Sequence, residues 1–262
     1  MEWELIESGP RDAAQTVLLL PGGACAAGMW REVMAEPALA GVRCVAATLP
    51  GNAGAPAPDD FSVATLARLV TELADNVGAD VIAGFSMGST AALVATADGL
   101  SKRPAVLTGI SISPEAEPAA FRAIVRLGSV LGTLPARFLR AAMPSIARKA
   151  KVAPDRRAEL AADFRRNKPG DMRRVLTGYL RYLHTHPGEA QRLCDAGVPV
   201  WVVHAEKGDG KLVGNEREIL DACPHATVIT YPGESFLLLN DKPTEVAAVI
   251  KDALAVAGKA IL

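Results

Sequence analysis

The chain reads as an α/β protein, a mostly parallel twisted sheet flanked by helices, and two features of its 262 residues predict this. Short β-branched or leucine-rich runs alternate with longer stretches of helical periodicity, and those runs are apolar almost throughout, as strands buried on both faces are. Taken in order, "WELIE" near the start is an edge strand. "TVLLL" (16–20), "VRCVAATL" (42–49), "DVIAGF" (80–85), "PAVLTGISI" (104–112), "VPVWVVH" (198–204) and "ATVITY" (226–231) are the buried ones. Between them, "SVATLARLVTELADNV" sets Val63, Leu66, Leu69, Val70 and Leu73 on one helical face, and "PTEVAAVIKDAL" does the same with Val246, Val249, Ile250 and Leu254. Such alternation requires right-handed crossovers and puts a ligand site at the carboxyl ends of the strands.

The alternation stops over residues 114–196. Pro118, Pro135, Pro144, Pro154, Pro169 and Pro187 punctuate a series of helices there, with no strand pattern between them. This divides the chain into a core, residues 1–113 and 197–262, and a helical insertion, residues 114–196. Over residues 119–192 the insertion carries 16 basic residues against 5 acidic ones, so the remainder of the chain is acidic. A basic insertion attracts an anionic substrate or an acidic carrier protein, or it is a set of solvated helix faces.

Composition bounds the rest. Hydrophobic residues make up 50% of the chain and charged residues 22%, with a formal net charge of -1, which describes an ordinary globular protein and offers no argument for nucleic acid. "MEWELIESGP" lacks the basic start and apolar centre of a secretory signal, and no window has the apolar length of a membrane helix. Cys25, Cys44, Cys194 and Cys223 are scattered without a CxxC pair. The expectation is therefore reduced thiols in a cytoplasmic protein rather than disulfides or zinc ligands. No metal or cofactor is called for, and the expected partner is a small organic substrate, anionic or carrier-bound, with neither nucleic acid nor membrane.

The strongest local signal is "VIAGFSMGST", in which a buried strand runs into Gly84-Phe85-Ser86-Met87-Gly88 and then into a helix of small residues. A GxSxG pattern in this strand-turn-helix setting holds its serine on a tight turn at a helix N-terminus, and the flanking positions need glycine because the helix crosses the strand there. The Met87 N–H and the helix dipole then face whatever Ser86 meets. A second donor is expected after "TVLLLPGGACAAGMW", where Pro21-Gly22-Gly23 lets the backbone approach a ligand and frees the N–H of Gly23 or Ala24. Trp30 reads as a packing anchor and Cys25, in the glycine loop, as a candidate thiol.

On these motifs, from "LLLPGG" through "ATLPGNAG" and "GFSMGS" to the closing "PGESFLLLNDKP", the chain resembles the α/β-hydrolase fold, of the bacterial type with a helical cap between the sixth and seventh strands. The resemblance implies a nucleophile at Ser86, an oxyanion hole from Gly23 and Met87, an acid after the seventh strand and a histidine after the eighth. The last two positions depart from the pattern. Gly208 stands where the acid belongs, with Asp209 next in line, and Ser235 stands where the histidine belongs, preceded by Glu234. A hydroxyl cannot take a nucleophile's proton at neutral pH as an imidazole does.

The other candidate bases are histidines, and the resemblance makes Glu115 an alternative position for the acid. His204 ends the seventh strand at the edge where the site belongs, His184 and His186 lie in the last cap helix, His225 lies at the wrong end of the sheet, and Glu115 follows the sixth strand. The leading expectation is cofactor-independent, non-hydrolytic chemistry (addition, cyclisation, C–C bond formation, elimination or isomerisation) on a small carbonyl-bearing molecule, anionic or carrier-bound. Ser86, Asp209 and Ser235 would act there, with His204 and Glu234 as auxiliaries. The alternatives are a serine hydrolase or acyl transferase with a relocated base, and a non-catalytic binding protein.

Overall fold

A computed structural model describes residues 2–207, 210–234 and 236–259. β1 (Leu5–Ser8), β2 (Thr16–Leu20), β3 (Arg43–Ala47), β4 (Val81–Phe85), β5 (Ala105–Thr108), β6 (Val200–Ala205) and β7 (Ala226–Tyr231) form one sheet in the order β1-β3-β2-β4-β5-β6-β7. β1 runs antiparallel to β3, and every other pair is parallel. β2 and β4 are buried along their whole length, which is why they read as unbroken apolar runs. β5 ends at Thr108 although its apolar run continues to Ile112, because Gly109 takes φ +58 and turns the chain.

The helices are α1 (Arg31–Met34), α2 (Val63–Val77), α3 (Met87–Ala97), α4 (Ala119–Leu131), α5 (Leu134–Ala142), α6 (Pro144–Ala147), α7 (Pro154–Arg166), α8 (Pro169–Thr185), α9 (Glu189–Asp195), α10 (Glu216–Ala222), α11 (Leu238–Asp241) and α12 (Pro243–Lys259). α2 begins where the Ser62 side chain accepts the Thr65 N–H at 3.1 Å and stops at the left-handed Gly78. α3 packs against α2, α9 and β5, while α12 packs against α1 and the central strands. Val246, Val249, Ile250 and Leu254 of α12 are all buried, as their spacing predicts.

α4 to α9 lie between β5 and β6. These are the two strands that the resemblance numbers sixth and seventh. The ordinals drop by one here because a single antiparallel edge strand precedes β2. Basic residues of this helical segment clamp it to the acidic core: Arg156 pairs with Glu32 at 2.7 Å, Lys151 with Glu234 at 3.0 Å, Arg166 with Glu4 and Arg192 with Asp98. Much of the charge asymmetry is thus spent on holding segment to core.

The cysteine expectation is corrected. Cys194, at the end of α9, and Cys223, just after α10, form a disulfide with their Cα atoms 5.8 Å apart. Their separation of 29 residues hid this, since the packing of α9 on α10 brings them together. The argument from scattered thiols to a reducing compartment falls with it. Among the described residues no helix is long and apolar enough to cross a membrane, and no cluster of side chains suits a metal ion.

Candidate active site

The strand order reverses at the middle of the sheet. From β2 the chain leaves towards β3, and from β4 towards β5, so the loops after β2 and β4 part and leave a crevice at the strand ends. Gly22 and Ser86 face each other across it: a Cβ on Gly22 would lie 3.4 Å from the Ser86 Cβ.

Ser86 sits at φ 50, ψ -115, a conformation that costs a non-glycine residue on the order of 1–3 kcal/mol and persists only where its surroundings impose it. Those surroundings are backbone. A Cβ at Gly84 would lie 2.4 Å from the Gly88 C and the Ser89 N, and one at Gly88 would lie 2.4 Å from the Leu20 O. Both glycines of GxSxG are therefore the contact points of α3 with β4 and β2. The Ser86 N–H donates to the Thr108 O at 2.9 Å and the Ser86 O accepts from the Thr90 N–H at 3.0 Å, fixing the turn from both sides.

Of the donors expected after β2, Ala24 is not free. Its N–H donates to Asn52 Oδ1 at 2.7 Å. No acceptor among the described residues takes the Gly23 or Met87 N–H. A Cβ at Gly23 would touch the Met87 Cε at 3.0 Å, so the two residues adjoin.

Two asparagines, missed by sequence reasoning, brace this loop. Ala24 has φ 64 and Ala53 φ 43, both left-handed without being glycine. Each is held by a buried asparagine: Asn52 Oδ1 on the Ala24 N–H, and Asn167 Oδ1 on the Ala53 N–H at 2.8 Å. Asn167 Nδ2 also donates to the Ala24 O at 2.8 Å and the Phe164 O at 3.0 Å. The residue joining α7 to α8 thereby sets the loops after β2 and β3.

A second group missed in the sequence is Tyr179 on α8, buried, whose hydroxyl donates to Glu117 Oε1 at 2.6 Å. Burial and the Glu117 charge push the Tyr179 phenol well above its ordinary range, with Ser111 and Thr90 as opposing hydrogen-bond partners. It remains a protonated donor at neutral pH. Tyr179 and Met87 line a small cavity together with Pro50, Asn52, Phe61 and Val175. The sequence pointed to Glu115 after this strand, which is exposed, whereas Glu117 is the acid that reaches a buried partner.

Gly208, Asp209 and Ser235 lie outside the described residues. Their neighbours pack at the crevice: a Cβ on Gly210 would lie 2.5 Å from the Gly109 O, and Phe236 stacks on Phe85 with centroids 4.8 Å apart. Glu234 forms ion pairs with Lys151 at 3.0 Å and Lys242 at 3.7 Å, and the Lys151 hydrogen bond holds its carboxyl below the usual range. That is an anchoring role, not the free auxiliary acid expected.

Three of the four histidines have partners elsewhere, and the fourth is exposed. His204 Nε2 meets Thr230 Oγ1 at 3.2 Å beside Arg217 of α10, and burial, then Arg217, lower its pKa. His184 contacts Arg126, His186 stacks on Tyr182, and His225 is exposed just before β7. Trp30 is fully buried, and Cys25 is enclosed with its thiol pushed up to about 12 by burial, then by Asp163. Cys25 is therefore an inert thiol at neutral pH.

A parallel sheet carrying a strained serine between strand and helix at its switch point defines the serine-elbow class of α/β fold. The chain belongs to the alpha/beta hydrolase family, whose model matches residues 17–249. No curated protein matches it. Among solved structures it is similar to an enol-lactonase from Burkholderia xenovorans LB400 (TM-score 0.76, 16% identity, covering 97% of this chain and 96% of that one). It is also similar to a thermophilic esterase from Thermogutta terrifontis (TM-score 0.73, 17% identity, 97% and 93% covered). A thioesterase domain from the curacin biosynthetic pathway follows the same fold (TM-score 0.67, 19% identity, 94% of each chain covered).

Proposed function

We propose that this chain is an enzyme acting without a cofactor on a small carbonyl-bearing organic molecule at Ser86, by non-hydrolytic chemistry. The Gly23 and Met87 N–H groups stabilise the developing oxyanion, backed by the N-terminus of α3. Ser86 donates a hydrogen bond to the substrate, and Tyr179, whose proton is held by Glu117, lines the adjoining cavity. Asp209 and Ser235 complete the site, and residues 114–196 cap it. One observation carries the reading: the elbow is intact and strained, while His184, His186 and His204 contact Arg126, Tyr182 and Thr230, and His225 lies exposed before the start of β7, the strand end opposite the elbow. Without an imidazole partner, serine is a weak nucleophile but a good hydrogen-bond donor.

A fluorophosphonate probe tests this. The expectation is no stoichiometric labelling of Ser86 under conditions that saturate an ordinary serine esterase within minutes. Rapid labelling abolished by Ser86→Ala would overturn it in favour of the second reading, a serine hydrolase or acyl transferase with a relocated base. That reading is supported by the esterase, enol-lactonase and thioesterase folds to which this one is similar. Gain of aryl-ester turnover in Gly208→Asp with Ser235→His, absent from the parent, would support the first.

A further inference from the structure

We propose a second ligand site, specific for a phosphate-bearing organic molecule, in a groove between α4 and α8. The groove has a volume of about 560 Å³ and is lined by Arg126, Arg173, Arg181 and His184 with the hydroxyls of Ser129 and Thr177. No carboxylate is among its lining residues, whereas Arg156, Arg166, Arg174 and Arg192 of the same segment pair with acids.

The three guanidinium groups are uncompensated. None of Arg126, Arg173 and Arg181 pairs with a carboxylate among the described residues, and the Arg173 Nε is enclosed without a hydrogen-bond partner. The one contact that Arg126 makes with a side chain is through its Nη2, 3.0 Å from the His184 Nε2. A guanidinium only donates, so the His184 Nε2 accepts, and the ring proton sits on Nδ1, which donates to the Leu180 O at 2.7 Å. His184 thereby accepts from Arg126 and brings no negative charge to these cations. Arg126 and Arg181 are exposed and Arg173 half-buried, so all are open to a ligand from solvent, and three planar forks beside two hydroxyls suit the several oxygens of a phosphate.

Its size points to an organic phosphate. The groove shares Arg173, Thr177 and Arg181 with a neighbouring cavity of about 730 Å³, both within the range of small-molecule sites. In that larger cavity Arg174 is paired with Asp171, and Arg192 with Asp98 and Glu189, so the unpaired positive charge concentrates at the α4–α8 end. The larger cavity in turn shares Asp60, Phe61, Ser62 and Val63 with the small cavity at Met87 and Tyr179. A ligand anchored by its phosphate at the groove thus has room for its organic part in the adjoining larger cavity.

Isothermal titration of the whole chain with inorganic pyrophosphate is the test, with citrate as a carboxylate of comparable charge. Pyrophosphate is expected to bind, citrate to bind at least about tenfold more weakly, and Arg126→Gln with Arg181→Gln to weaken pyrophosphate at least about tenfold. Arg148→Gln with Arg165→Gln, which removes the same charge from exposed positions outside the groove, is expected to change it less than about twofold. Absence of pyrophosphate binding, equal binding of citrate, or equal weakening by the two double variants overturns the proposal. Ser86→Ala is expected to bind pyrophosphate as the parent does, so this site and the reading of Ser86 stand or fall separately.

Discussion

Asn167 is the single side chain on which the geometry of the crevice leans most heavily. It is 1% exposed and makes three hydrogen bonds, one accepted from the Ala53 N–H and two donated, to the Ala24 O and the Phe164 O. Asn167→Ala removes all three, at about 1 kcal/mol each, and leaves the buried Ala53 N–H without an acceptor, so a loss of about 3–4 kcal/mol is expected. The variant still carries the strain of Ala53 and Ala24 held at positive φ. Ala53→Gly, which accepts such a φ freely, should therefore recover a fraction of it in the double variant. Urea unfolding of the four proteins measures the cycle, and hydrogen–deuterium exchange over residues 22–25 reads the local effect, expected to quicken in Asn167→Ala. A stability within 1 kcal/mol of the parent, or unchanged exchange over that loop, would refute the bracing argument.

Three further outcomes follow from other parts of the fold. Gly88→Ala should cost more than about 2 kcal/mol, because its Cβ would lie 2.4 Å from the Leu20 O and only backbone movement relieves it; a melt matching the parent would contradict this. Cys194→Ser opens the disulfide of 29-residue separation, worth about 3.6 kcal/mol by loop entropy and roughly 7 °C in Tm, and reductant should shift the parent alike. The Cys25 thiol, held neutral up to about 12 when folded against 9.0 for an ordinary cysteine, ionises first in the unfolded chain. Stability should therefore fall as pH rises above 9.0, by up to about 1.4 kcal/mol per pH unit, and Cys25→Ala should flatten that slope in alkaline unfolding curves.

Much of this was legible beforehand. Strands and helices follow from the period of apolar residues, a local property, so β2 and β4, α2 and α12, and the helical run between β5 and β6 fall where the pattern places them. The elbow was legible for the same reason, since strand, Gly-Phe-Ser-Met-Gly and helix are contiguous. What escaped are side chains whose partners lie far along the chain: Asn167 reaches Ala53 and Ala24 over 114 and 143 positions, and Tyr179 reaches Glu117 over 62. No spacing rule links such residues, and an alanine at positive φ carries no mark of it in the sequence.

Sequence alone determined the layered α/β core and the serine on its turn, because these depend on neighbours in the chain. Tertiary structure decided that the Ala24 N–H is spent on Asn52, that His184, His186 and His204 meet Arg126, Tyr182 and Thr230, and that Cys194 meets Cys223. It also decided which arginines of a basic segment are neutralised by the core and which converge unpaired between α4 and α8. Charge can be counted along a chain, but whether it is compensated depends on what folding brings within a few ångströms, where electrostatic and hydrogen-bond energies are decided.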